Sequence, residues 1–296
     1  MRDLLIALFW MMSGEAGLPD QADSTVTCGG ALSQGGLIVC TGPIGSQVRY
    51  DGAAERIEDG APAIFGITRD AELSATLTFE TPAASRPKQI ELTLAERIDD
   101  YRVLEGLDCD KVDARTPQQI EHAGESWVKK QAAFSTFDPA GARLGEGFIL
   151  PSVGRPSSPF GPTRKYIGVS AETGESCDKT SVHRGYDIAA PVGTDIIAPA
   201  AGTIILADLD LYYEGGTIFL DHGGGLVSVF MHMSALDVAE GDVVDQGELL
   251  GKVGNTGRTT GPHLHWAVKW RDTSRNDRGG DFYIDPALLL DADLLP

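Results

Sequence analysis

The sequence predicts a mainly β protein with two domains joined by a helical linker. The chain has 296 residues, enough for two modest domains. Its apolar runs are short and end at glycine, proline or aspartate, and it contains 36 glycines and 16 prolines, which is typical of strands joined by tight turns. Helical periodicity is clear in one segment only. An apolar content of 42% excludes a disordered chain.

The net charge excludes two classes of partner. The formal charge is −19, with 24 basic and 43 acidic residues, and the acidity is spread over both halves of the chain. No basic stripe stands out, so nucleic acid and anionic membrane surfaces are not expected to bind. Oligomeric state is not indicated.

The first 17 residues resemble a secretory signal. Residues 4–12 form a nine-residue apolar run, too short to span a bilayer, and small residues precede a cleavage point ahead of Gly17. The alternative is a buried strand or the start of a helix. We therefore expect a periplasmic or otherwise exported protein without a membrane span in the mature chain.

The four cysteines predict disulfides. None lies in a C-x-x-C pair, which argues against a zinc knuckle or a thioredoxin-type site. An even number in an exported protein favours disulfides. Cys28 and Cys40 flank a glycine-rich segment and are expected to close a hairpin, while Cys109 and Cys177 would tie the linker to the second half.

The N-terminal part divides into a small domain and a linker. Residues 24–96 contain short alternating apolar runs, which predict a small β-sandwich, and no histidine. Residues 97–147 form the linker, with a helix over about 117–136 that begins at a capping box on Thr116. Its apolar face predicts that Trp127 and Phe134 pack on a neighbour. His122 is expected to be solvated.

A third region, residues 148–292, is predicted to be a compact and nearly all-β domain. It follows a boundary rich in proline, glycine and serine at 151–162, and it holds five of the six histidines. If residues 263–270 form a strand, His263 and His265 share one face, about 6–7 Å apart, opposite an apolar face that must be core. Two solvated histidines on an outer face are the alternative.

Two further elements carry histidines. His183 and Asp187 would lie about 13 Å apart on a straight strand, so a bend at Gly185, the residue free to adopt positive φ, is needed to bring them together. Alone, this pair is more typical of an exposed turn. His232 ends a strand on which it shares a face with Phe230, opposite Met231 and Met233.

These residue types predict a catalytic zinc site. Catalytic zinc takes three protein ligands and keeps one position open, a requirement that His183, Asp187 and His265 satisfy. His232 and His263 are then free to act as general base and as hydrogen-bond donor to the developing oxyanion. His222 lies in a glycine-rich turn and is expected to be structural. The glycines at 251–257 predict a hairpin turn rather than a phosphate loop, and H-E-x-x-H and G-x-S-x-G motifs are missing.

Three motifs in order resemble the lysostaphin-like (LytM-type) zinc endopeptidases, which cut peptide bonds in bacterial peptidoglycan. The first is His183-x-x-x-Asp187, the second Phe230-Met231-His232-Met233-Ser234, and the third runs from Gly257 to His265. The resemblance spans nearly half of the chain, from about residue 160 to 286. An insert at 166–181, which carries Cys177, departs from the pattern and could shape or shield the groove.

The resemblance implies a β-sheet groove, Zn²⁺ held by His183, Asp187 and His265, and His232 and His263 as the catalytic pair. Peptidoglycan stem peptides would be the substrate, and a D-alanyl cross-link to a diamino acid the bond cut. The main alternative is a non-catalytic member that acts as a scaffold or activator of cell-wall amidases. A zinc peptidase acting on protein is a further alternative.

Overall fold

A computed structural model describes residues 25–136, 144, 147–272, 282–290 and 294. The predicted signal segment lies outside the described residues. The N-terminal domain contains seven strands in two antiparallel sheets, ordered β1-β2-β5 and β4-β3-β6-β7. These strands are β1 Thr27–Ala31, β2 Leu37–Thr41, β3 Gln47–Tyr50, β4 Ala53–Arg56, β5 Ala63–Gly66, β6 Ser74–Glu80 and β7 Lys88–Thr93. Apolar side chains from both sheets share one core, and the Cys28–Cys40 disulfide joins β1 to β2, as expected.

The linker continues as strand β8, Tyr101–Asp108, a short 3-10 helix, Cys109–Lys111, and helix α1, Pro117–Ser135. The predicted capping box on Thr116 is present at the start of α1. Phe134 stacks on Phe219 with ring centroids 4.7 Å apart, as expected for a packed residue. Trp127, the other residue predicted to pack on a neighbour, is 51% exposed.

Polar contacts with the loop at residues 210–214 accompany the apolar packing of α1. Ser126 is buried because its hydroxyl accepts a hydrogen bond from the Tyr212 amide at 3.0 Å. The His122 ring packs edge-on against Tyr212 and its Nε2 lies 2.8 Å from the Asp210 carbonyl oxygen, so His122 is not simply solvated. Lys130 forms an ion pair with Glu214 on the same side.

The C-terminal domain is built on an eight-stranded sheet. Its order is β18-β14-β15-β16-β20-β12-β9, with β21 paired to β20, and a smaller sheet has the order β13-β19-β17. The strands are β9 Arg155–Ser158, β10 Thr163–Val169, β11 Ser176–Val182, β12 Tyr186–Ala189, β13 Asp195–Ile197, β14 Gly202–Leu211, β15 Gly215–Asp221, β16 Leu226–Met233, β17 Ala235–Leu236, β18 Val243–Val244, β19 Leu249–Lys252, β20 Leu264–Trp270 and β21 Phe282–Ile284. A 3-10 helix, Pro286–Leu289, follows. The mainly β fold is as predicted.

The predicted insert forms a β-hairpin that joins the linker to the second domain. Strands β10 and β11 pair antiparallel, and β8 pairs parallel to β10, so the three strands form one sheet. The predicted disulfide between Cys109 and Cys177 ties the end of β8 to β11. The hairpin is therefore held against the linker both by the pairing of β10 with β8 and by the disulfide.

The two domains share a continuous apolar core. Gly66, on the edge of the N-terminal domain, packs so closely on Trp270 that an added Cβ would lie 2.9 Å from its side chain. Buried residues of both domains belong to one hydrophobic cluster. Nearby, the buried guanidinium of Arg97 binds Asp99 and Asp285, each at 2.8 Å, and so joins the linker to the C-terminal end.

Candidate metal centre

Two neighbouring strands bring the predicted ligands together. Strands β12 and β20 are antiparallel, and Asp187 lies directly opposite His265 in their register. Directly paired residues of antiparallel strands place their side chains on the same face, with Cβ atoms about 5 Å apart. The apolar alternate positions of β20, among them Leu264 and Trp266, are fully buried, as predicted. The polar face of these strands therefore carries the site.

His183 reaches the same face through a bend at Gly185, but glycine is needed there for a different reason from the one expected. Gly185 is not in the positive-φ region, so that part of the prediction is wrong. An added Cβ would lie 2.4 Å from Nε2 of His265 and 2.9 Å from the Trp266 carbonyl oxygen. The glycine thus leaves room for the His265 ring, rather than supplying an unusual backbone angle.

Three candidate ligand atoms converge at this point. Asp187 Oδ1 lies 2.7 Å from His265 Nδ1 and 3.1 Å from His183 Nε2, and the two imidazole nitrogens are 3.2 Å apart. Tetrahedral zinc with bonds of about 2.0–2.1 Å separates its ligand atoms by roughly 3.3 Å. In the described part of the chain, His183, Asp187 and His265 form a group whose ligand atoms lie close enough together to hold a metal ion.

The orientation of the His183 ring fits a cation at this point. Its Nδ1 lies 2.6 Å from the Pro159 carbonyl oxygen, which can only accept, so Nδ1 donates to it. This contact turns Nε2 toward the carboxylate of Asp187, 3.1 Å from Oδ1. A cation bound between them would be coordinated by both. The donor set, two imidazoles and one carboxylate, is one that zinc binds in catalytic sites.

The carboxylate of Asp187 is ionised. Burial raises its pKa, but the contacts with the imidazoles of His183 and His265 outweigh burial and hold the pKa well below its usual range. Burial also lowers the pKa of His265, which favours the neutral imidazole that a metal requires. The shifts at Asp187 and His265 therefore favour the protonation states that a metal requires of its ligands.

His232 lies on the other side of the centre, in an unusual backbone conformation. Its φ is 65°, in the left-handed region that residues other than glycine rarely adopt. The register between β15 and β16 shifts here, with Ile218 opposite Phe230 but Gly216 opposite Met233. Such a shift is a β-bulge, which changes the direction of a side chain.

The alternation predicted for β16 is wrong at the end of the strand, because the bulge interrupts it. Met233 packs in the same cluster as Phe230, whereas Met231 packs in a second cluster on the other side. The two methionines therefore do not share a face. The backbone around His232 is held against Gly254, where an added Cβ would lie 2.4 Å from the His232 carbonyl oxygen.

Both remaining site histidines lie beside the centre, each with Nδ1 bound to a backbone carbonyl oxygen. His232 donates from Nδ1 to the Thr256 carbonyl oxygen at 2.9 Å, and His263 from Nδ1 to that of Gly261 at 2.8 Å. Their ring centroids are 4.9 Å apart, and His263 Nε2 lies 3.7 Å from Asp187 Oδ1. Burial, together with the neighbouring imidazoles of His265 and His263, lowers the pKa of His232 to about 3, so its ring is neutral at physiological pH.

His222, expected to be structural, lies in the core away from this cluster. It is buried, donates from Nδ1 to the Ala201 carbonyl oxygen, and accepts at Nε2 from the Ser228 hydroxyl, both at 2.8 Å. Burial lowers the pKa of His222 to about 4. The segment at 251–257 is not the predicted hairpin turn, because β19 pairs with β13 and β17. A bridge between Gly254 and His263 closes a wider loop that carries Thr256.

The structure adds one residue that the sequence did not indicate. Arg164, on strand β10 of the hairpin, places Nη2 3.3 Å from Oδ2 of Asp187 and 2.6 Å from the hydroxyl of Ser158. A single arginine in a segment outside the family motifs gives no signal in the sequence.

Comparison with known proteins agrees with this geometry. Residues 181–277 match the model of peptidase family M23. Over 152 residues the chain is 36% identical to an uncharacterised metalloprotease of Haemophilus influenzae, a match that covers 50% of this chain and 30% of the relative. Over 144 residues it is 31% identical to the peptidoglycan DD-endopeptidase ShyC of Vibrio cholerae, covering 48% and 31% of the two chains. The chain spans less than a third of the length of these curated relatives.

One solved structure is similar over nearly the whole chain. It is a crystal structure of a peptidase M23 from Pseudomonas aeruginosa, with a TM-score of 0.59 and 28% identity, and the match covers 88% of this chain and 95% of the other. The chain therefore contains a peptidase M23 domain, and the resemblance to the lysostaphin-like enzymes is confirmed. Among the described residues, no helix combines the length and apolar character needed to cross a bilayer.

Proposed function

We propose that the protein is a zinc-dependent endopeptidase that hydrolyses peptide cross-links of bacterial peptidoglycan. The observation that carries the proposal is the convergence of His183, Asp187 and His265 on one point, with two further histidines beside it. Three ligands leave a fourth position for water or substrate, which is the arrangement of catalytic rather than structural zinc. The similarity to a protein described as a peptidoglycan DD-endopeptidase supports the substrate class.

In this proposal, different side chains of the protein perform different parts of the hydrolysis. Bound zinc would supply Lewis acidity, which polarises a peptide carbonyl and acidifies water. His232 is neutral and buried, and its free Nε2 accepts the proton of the attacking water. His263, with a side chain 16% exposed, is the hydrogen-bond donor to the oxyanion that develops on the carbonyl. Hydrogen bonds to backbone carbonyl oxygens fix both rings.

One observation and one consequence of the proposed substrate support an exported protein. The two disulfides are typical of proteins that fold outside the reducing cytosol. The proposed substrate also lies outside the cytoplasmic membrane. We therefore propose that the chain works in the periplasm or an equivalent exported location.

The test is digestion of purified sacculi by the zinc-loaded protein, with the products identified by mass spectrometry. We expect release of stem peptides cut at the D-alanyl cross-link, and no release by His263→Ala. Intact sacculi with a zinc-loaded protein would contradict the proposal. Stimulation of a purified amidase without hydrolysis would then favour the scaffold alternative, and cleavage of casein alone would favour a peptidase acting on protein.

A further inference from the structure

Arg164 approaches the metal centre from outside residues 181–277, the segment that matches the peptidase M23 model. It lies on β10, which pairs with β11 of the same hairpin and with β8 of the linker. The backbone just before β10 is also hydrogen-bonded to the first candidate ligand, His183. The His183 amide donates to the Pro162 carbonyl oxygen at 2.9 Å, and the Gly161 amide donates to the His183 carbonyl oxygen at 2.9 Å. The hairpin thus fixes Arg164 relative to His183.

The two oxygens of Asp187 have different partners. Oδ1 contacts the imidazoles of His183 and His265, whereas Oδ2 accepts from Nη2 of Arg164 at 3.3 Å. The same Nη2 donates to Ser158, which lies opposite Asp187 in the register between β9 and β12. The contact between Arg164 and the carboxylate is therefore anchored at a second point.

Charge and burial favour separate partners for the two carboxylate oxygens of Asp187. The side chain of Arg164 is 19% exposed and that of Asp187 10%. In the described residues, Asp187 provides the carboxylate that pairs with this guanidinium. A largely buried guanidinium that lost this partner would be left unpaired, at a cost of several kcal/mol. The pair is thus expected to persist when a cation binds at Oδ1.

The consequence concerns coordination number. A carboxylate can bind a metal through one oxygen or through two. With two imidazoles and one water, a carboxylate bound through both oxygens would make five ligand atoms and crowd the position that the substrate must reach. With Oδ2 held by Arg164, Asp187 offers Oδ1 alone, and the fourth tetrahedral position stays open.

We propose that Arg164 is a positioning residue that restricts Asp187 to one metal-binding oxygen and so keeps the catalytic position open. This inference rests on the metal site proposed above. It assigns the hairpin, which lies outside the family motifs, a direct part in the site. It also predicts an unusual result: loss of Arg164 lowers turnover without weakening metal binding, because the freed Oδ2 becomes a second ligand atom and a competing positive charge is removed.

The experiment uses the full chain, loaded with Co²⁺ or Zn²⁺, in four forms: wild type, Arg164→Gln, Arg164→Lys and Lys165→Gln. Lys165 is the matched control, since it lies on the same strand and pairs with Asp178 at 3.0 Å. Visible absorption of Co²⁺ reports coordination number, because four-coordinate Co²⁺ absorbs more strongly than five-coordinate Co²⁺. Chelator competition gives zinc affinity, and hydrolysis of a stem-peptide dimer gives kcat and KM.

We expect Arg164→Gln to lose Co²⁺ absorption intensity, to bind zinc at least as tightly as wild type, and to show kcat lower by about tenfold or more with KM little changed. Arg164→Lys keeps one donor for Oδ2 and should lie between the two, and Lys165→Gln should match wild type. A wild-type chain that binds neither metal would overturn the proposed function itself.

Other outcomes overturn only the role of Arg164. Weaker zinc binding with an unchanged Co²⁺ spectrum would mean that Arg164 only holds Asp187 in position. A raised KM with unchanged kcat and spectrum would make it a contact for substrate. If Arg164→Gln does not fold, the Arg164→Lys variant decides, since a wild-type spectrum with kcat lowered by about tenfold would contradict the proposal.

Discussion

Replacement of Gly185 by alanine probes the site without removing any ligand. The new Cβ would lie 2.4 Å from Nε2 and 2.5 Å from Cε1 of His265. An ordinary carbon contact requires at least about 3.4 Å, so the ring must move by about 1 Å. On its other side the ring already contacts Asp187 at 2.7 Å, so it cannot move without changing that geometry.

The expected loss is larger in zinc affinity and turnover than in stability. Overpacking of this kind costs about 1–3 kcal/mol of unfolding free energy. Displacement of a ligand by about 1 Å is expected to lower kcat/KM by about 100-fold and zinc affinity by about 10- to 100-fold. Chelator competition measures the affinity, and urea unfolding of the metal-free chain measures the stability.

The matched control is Gly124→Ala in α1, where an added Cβ meets nothing within 4 Å. This variant should keep wild-type affinity and turnover. Wild-type zinc affinity in Gly185→Ala would refute the reasoning, because it would mean that the His265 ring is not confined against the backbone at position 185.

Three further predictions concern the histidines and the metal. His265→Ala should abolish zinc binding, whereas His263→Ala should keep the metal and lose turnover; equal metal loss in both, measured by metal analysis, would refute the division of roles. Chelation should stop hydrolysis while far-UV circular dichroism stays unchanged at 25 °C, since the ligand strands bury their own apolar faces; unfolding on chelation would indicate a structural metal. Burial lowers the pKa of His222 from 6.5 to about 4, so the unfolded chain takes up this proton first, and stability present above pH 6.5 is lost as the pH falls toward 4, by up to about 3 kcal/mol. In urea unfolding, the stability difference between wild type and His222→Gln should therefore shrink from pH 7.5 to 4.5, while a constant difference would contradict the assignment.

The candidate site residues could be selected from the sequence because the signals that mark them are local. Alternation along residues 263–270 separates a core face from a polar face, and the structure buries the core face as expected. The candidate ligands His183, Asp187 and His265 come together in the structure. The two disulfide pairings, inferred from cysteine number and position, are also present.

Features set by contacts between distant segments were not predictable. The left-handed conformation of His232 depends on the approach of Gly254, 22 positions further along the chain, to the bulge in β16. Ser126 and His122 of α1 form hydrogen bonds with the loop at residues 210–212, 86 and 88 positions away in the chain. Arg164 reaches Asp187 from β10, which pairs with β8 of the linker as well as with its hairpin partner β11. None of these pairings leaves a periodic pattern in the residues involved.

The most direct test of the account is the position of the metal in crystals of the zinc-loaded protein, located by anomalous scattering at the zinc edge. The account predicts one strong peak, about 2.0–2.2 Å from His183 Nε2, Asp187 Oδ1 and His265 Nδ1, with the fourth position not filled by a protein side chain. A peak elsewhere, or a fourth protein ligand at this site, would contradict it.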